Sequence, residues 1–124
     1  MDEKTFFATV AERAGLSKEE SGDLTRATLE ELAAQISGGE VQKLAAALPD
    51  WLEPHFPRRN GSAHPKPVTD FVRDIGTRTG LNEEETRRGL HALLAVLREA
   101  MDATHLEHAL AQLPKDYRQL EAAS

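Results

Sequence analysis

The sequence predicts an all-α protein: two tandem three-helix units packed about a pseudo-two-fold axis into one six-helix, bundle-like domain. Three observations carry that expectation. No segment of the 124 residues alternates polar and apolar side chains as a half-buried strand would. Apolar residues instead recur every three or four positions, the spacing that gathers them on one helix face. Sliding the chain by 65 residues also aligns 6–56 with 71–121 without a gap. Identical pairs then include Phe6/Phe71, Arg13/Arg78, Gly15/Gly80, Leu16/Leu81, Glu20/Glu85, Ala27/Ala92, Leu29/Leu94, Leu32/Leu97 and Pro49/Pro114. The single domain reads as repeat one over 2–56, a linker over 57–67 and repeat two over 68–121.

The elements follow in chain order. Asp2 can cap a first helix whose buried face is Phe6, Phe7, Val10 and Ala14. Gly15 stands where a left-handed residue stops a helix, and Leu16 supplies the apolar contact that often follows. Ser17-x-x-Glu20 is a capping box, the serine oxygen taking an orphan backbone N–H and the glutamate reaching back. It opens a long helix expected over about 18–37, striped by Leu24, Thr28, Leu29, Leu32 and Ile36. Gly38-Gly39 is expected to end it, before a short helix that reaches Leu48-Pro49 and a further turn at Trp51-Leu52. Prolines, Asn60-Gly61 and the lack of large apolar residues mark 57–67 as the linker. In the second copy Gly80 repeats the stop and Asn82-x-x-Glu85 repeats the capping box. A long helix over about 83–102 carries Leu90, Leu93, Leu94, Leu97 and Met101. Thr104-x-x-Glu107 reads as another capping box before a short helix with Leu106, Ala109, Leu110 and Leu113 inward, then Tyr117.

This pattern, Phe-x-x-x-Val/Ile-x-x-Arg-x-Gly-Leu-x-x-Glu-Glu and then a leucine-striped helix and a short helix ending in Leu-Pro, resembles a bacterial family, the domain of unknown function 2267 family. The resemblance rests on FFATVAERAGLSKEE, SGGEVQKLAAALP, FVRDIGTRTGLNEEE and HLEHALAQLP, so it spans both copies. The second copy departs from it at Ala103-Thr104-His105, which replaces the Gly-Gly-Glu turn. The resemblance implies a small helical cytosolic protein in duplicate, and it brings no catalytic residues to these positions.

Composition narrows the function classes. There is no cysteine, which removes disulfides, thiolate nucleophiles and thiolate metal ligands. The acidic opening MDEKTFFATVAER lacks the apolar run of a signal peptide, and no stretch approaches a membrane span, so a cytoplasmic protein without membrane contact is expected. The net charge of −6 resides in residues 1–56, with 11 acidic against 5 basic side chains, while 57–124 holds 10 of each. With no basic stripe, nucleic acid is not an expected partner.

Candidate sites compete with plainer readings. His105 and His108 are three apart and could share a metal, with Asp102 or His91 as third ligand, but their helix turns Leu106, Ala109 and Leu110 inward and leaves both histidines wet. No cofactor is expected. His91, beside Glu84, Arg87, Arg88 and Arg98, is expected to be solvated. The run Glu83-Glu84-Glu85 complements a helix N-terminus, a sufficient reason for its charge. Ser37-Gly-Gly-Glu40 lacks the Lys-Ser/Thr of a phosphate loop. Arg58 and Arg59, with Lys66, either dock an acidic partner or lie along the acidic first copy, and the charge balance favours the second.

One asymmetry stands out. Gly89, Ala92, Val96 and Ala100 give the second long helix a small-residue face beside its leucines, where the first copy has Leu24, Ala27, Glu31 and Gln35. That face either packs against the first copy or meets a protein partner or a second copy of the chain. The expectation is a non-enzymatic protein-interaction or assembly module. The alternative is a domain binding a small ligand or metal in the groove between the repeats. An enzyme ranks third, because no nucleophile–base pair or cofactor fingerprint appears.

Overall fold

A computed structural model describes residues 1–57 and 62–122, which form seven α-helices and no strand. They are α1 (Glu3–Ala14), α2 (Lys18–Gln35), α3 (Gly38–Ala47), α4 (Val68–Thr79), α5 (Glu83–Ala100), α6 (Ala103–Leu110) and α7 (Arg118–Ala122). Short 3₁₀ turns at Glu53–His55 and Lys115–Tyr117 close the two halves. The starts of α4, α5 and α6 fall 65 residues after those of α1, α2 and α3.

Local chemistry sets these boundaries. The Asp2 carboxylate accepts from Thr5 N–H at 2.8 Å and starts α1. Gly15 and Gly80 stop α1 and α4 at φ 69° and 80°, a region that side chains with a Cβ avoid. Both capping boxes are complete, at Ser17/Glu20 and Asn82/Glu85. Two expected boundaries move. Gly38-Gly39 does not end α2: Gln35 is its last residue, Ile36 turns extended, and the Ser37 hydroxyl accepts from Glu40 N–H at 3.3 Å. Ser37-Gly-Gly-Glu40 therefore starts α3, since an N-cap serine satisfies a donor that a glycine stop would leave open. Thr104 does not cap α6. Asp102 does, accepting from Thr104 N–H at 2.9 Å, and Glu107 instead holds Arg98 at 2.6 Å. A carboxylate cap also complements the helix dipole, which a threonine cannot do.

The packing is between halves as much as within them. Helix α1 lies against α5 and α2; α4 lies against α2 and α5; α3 meets α6, and α2 meets α5. One apolar cluster runs from Phe6 and Val10 through Leu24, Leu29 and Ile36 to Phe71, Ile75, Leu90, Leu97 and Leu106. Removing that much apolar surface from water is the main favourable contribution to folding. Among the described residues no helix is long and apolar enough to cross a membrane.

Candidate ligand cavity

Where α2 of the first half faces α4 and α5 of the second, the core is not filled. A cavity of about 190 Å³ remains. Thr28 and Leu32 of α2, Phe71 of α4, and Leu90 and Leu94 of α5 form its inner wall. The segment after α6 forms the rest, with Leu113, Pro114, Tyr117 and Leu120 facing in. Its exposed members, Ala111, Lys115, Arg118 and Glu121, stand at the mouth.

The inner wall is apolar except at one atom. The Thr28 hydroxyl is buried, its residue 1% exposed, and it makes no hydrogen bond. A helical threonine usually discharges its hydroxyl onto the carbonyl four residues back. Thr25 and Thr86 do so, at 2.8 Å each, onto Ser21 and Asn82. An orphan buried hydroxyl costs about 1–3 kcal/mol. At the same place in the second half, 65 residues on, stands Leu93, fully buried and hydrocarbon throughout.

The wall formed by residues 113–121 is strapped down at four points. Asp116 Oδ2 accepts from Val68 N–H at 3.1 Å and so caps α4, whose own N-cap, Pro67, has no side chain for the task. The Tyr117 hydroxyl stands 2.8 Å from Lys66 O and 2.9 Å from Gln35 Oε1, one proton between two acceptors. Burial pushes its pKa far above the usual phenol value, so it stays protonated as a donor. His91 Nδ1–H donates to Leu120 O at 2.9 Å. Arg98 grips Glu121 together with Glu107. His91 is thus half-buried and engaged rather than solvated, because the strap lies over its face of α5.

Beside the strap, Lys66 Nζ bridges Glu31 at 2.6 Å and Asp74 at 2.8 Å, and Arg78 adds Glu30 and Glu31. Burial lowers the Lys66 pKa, but the hydrogen bonds to Asp74 and Glu31 together outweigh it and raise the net value. The Asp74 carboxyl is held below its usual range by the hydrogen bond from Lys66. This ties the end of the linker to α2 and α4.

The residues singled out from sequence fare unevenly. Gly89, Ala92 and Val96 are buried inside the fold, and Ala100 partly so. A Cβ at Gly89 would fall 2.6 Å from Leu24 Cδ2, so α2 already occupies that face. The small residues therefore let α5 approach its own neighbours and are not offered outward to a second chain. Arg58 and Arg59 lie outside the described residues. His105 is half-buried and His108 exposed, and among the described residues no group of three His, Asp or Glu side chains could hold a metal. The would-be third ligands are already committed, Asp102 to the α6 cap and His91 to Leu120. Sequence reasoning placed Thr28 in the core stripe and gave it no role. The signal that could have found it was the mismatch with Leu93 in the repeat alignment.

A family described as "Uncharacterized conserved protein (DUF2267)" matches residues 3–120. No curated protein matches the chain. The match takes in both halves, the cavity and nearly all of its strap; the chain belongs to the DUF2267 family.

Proposed function

We propose that this protein is a helical binding domain that holds a small apolar molecule between its two halves, without turning it over. The observation that carries the reading is the 190 Å³ cavity with the unpartnered Thr28 hydroxyl in its wall. Apolar cavities of about 150 Å³ take up a benzene-sized guest. A polar atom kept unsatisfied there, where the sibling position is leucine, is a standing cost that a ligand would offset. The assembly-module expectation rested on the face of Gly89, Ala92 and Val96, which α1 and α2 cover.

The architecture we propose with it is a duplicated unit about a pseudo-two-fold axis within one domain. The reciprocity of the contacts supports this: α1 on α5 is matched by α4 on α2, while α3–α6 and α2–α5 each pair an element with its counterpart. On that view the cavity is where the symmetry fails. A cytoplasmic location fits the acidic, cysteine-free composition.

The test uses neutral apolar probes, toluene and hexan-1-ol, in thermal denaturation and calorimetric titration. A probe at tenfold its Kd should raise the melting temperature by about 4 °C, by mass action on the native state. Ala111→Phe places a ring at the exposed mouth without disturbing the core, and it should abolish the shift while leaving the unliganded melting temperature nearly unchanged. No binding of either probe to the wild type would overturn the reading.

A further inference from the structure

The chemistry of the mouth narrows the ligand class, on the premise that the cavity binds small molecules at all. Three charged side chains stand there, and they are not equivalent. The Glu121 carboxylate is taken by Arg98, whose guanidinium also holds Glu107. The other nearby acid, Asp116, directs its carboxylate to the first turn of α4. Lys115 and Arg118 are exposed, line the cavity, and make no ion pair among the described residues. The mouth therefore presents two uncommitted cations over an apolar interior, on a chain whose net charge is −6. An acidic protein that leaves two cations unpaired at a cavity rim directs a local positive field against its overall one.

The interior sets the other end. Its volume suits one ring or a chain of about six to eight carbons, somewhat more than a benzene-sized guest. Its walls are leucine, phenylalanine and the apolar faces of Pro114 and Tyr117.

We propose that the cavity takes a small amphipathic carboxylic acid, its hydrocarbon body against Leu32, Phe71, Leu90 and Leu94 and its carboxylate at the mouth between Lys115 and Arg118. A cation would meet two like charges there. A neutral molecule would leave the cations unused. The carboxylate stays at the solvent boundary, which spares it the large cost of burying a charge.

Hexanoate and hexan-1-ol, which share a carbon chain and differ in the charged head, are titrated into the intact protein and into Lys115→Glu/Arg118→Glu. Both positions are exposed, so the variant should fold, and its unliganded melting temperature checks this. Hexanoate should bind the wild type, and the charge reversal should weaken it about three- to thirtyfold, the range that two exposed ion pairs supply. Hexan-1-ol should change less than about twofold between the two proteins. The hexanoate preference should also shrink as salt is raised, since exposed charges are screened. If hexan-1-ol binds and hexanoate is indifferent to the charge reversal, the acid assignment falls and the cavity reading stands. If neither binds the wild type, the cavity reading falls with it.

Discussion

The two corners where each half meets its own closing turn begin from the same residues and finish differently. In the first, Phe6 lies 5.2 Å from Trp51 and 5.4 Å from Phe7, ring centre to ring centre, so three rings fill the joint. In the second, Phe71 has one aromatic neighbour, Tyr117, at 5.1 Å. At the places of Phe7 and Trp51 stand Val72 and Asp116. The second corner thus carries two fewer rings, and Phe71 borders the cavity. The residue that replaced the tryptophan became the cap of α4. One half invests this corner in packing, and the other invests it in a hydrogen bond and an opening. A duplicated fold can tolerate that division, because the shared leucines and capping boxes still define the helices.

Three substitution pairs test the contrast, in order of expected effect on chemical denaturation. Phe6→Ala and Phe71→Ala each remove a buried ring and should cost about 3–5 kcal/mol. Phe71 should fall at the lower end, because one side of its ring already faces empty space; equal costs would mean that the two corners are packed alike. Next comes the pair Ala11 and Gly76, matched positions on α1 and α4. A Cβ at Gly76 would lie 2.9 Å from the backbone oxygen of Leu81, which cannot rotate away. Gly76→Ala should therefore destabilise by about 1–3 kcal/mol despite its gain in helix propensity. A stabilised Gly76→Ala would show that the second joint has slack. The smallest effect is on Thr28. Thr28→Val removes an orphan hydroxyl at nearly constant shape and should stabilise the unliganded protein by about 1 kcal/mol. Leu93→Thr, the converse change, should destabilise. If Thr28→Val is neutral or harmful, the hydroxyl has found a partner and the standing cost does not exist.

Much of the fold was legible because its signals are local. Caps, left-handed glycines and leucine stripes act within one or two turns, so the helix starts at Glu3, Lys18 and Glu83 could be read from neighbours alone. The missed boundaries were contests between two local signals, a glycine pair against Ser37 and a threonine against Asp102. The small face of α5 was visible as a pattern, yet its destination depended on a contact across the chain. Leu24 and Gly89 hold matched places in the two halves, and the leucine of one fills the space above the glycine of the other. The cavity was least legible of all. It arises from what three elements jointly fail to fill, and no window of sequence contains an absence. Only the mismatch of Thr28 with Leu93 left a written trace.

The Asp116 cap also has a consequence in time. Residues 68 and 116 are 48 apart. At translation speeds of about 5–20 residues per second, that interval lasts roughly 2–10 s. Helix α1 carries its cap beside it from the moment it is made. Helix α4 must wait, its first turn open to water and to passing chaperones, until the strand of chain that will shut it has been synthesised. The two halves are alike in space and unlike in schedule: the first can begin to close on its own, while the second is sealed in one late step by the same segment that walls the cavity.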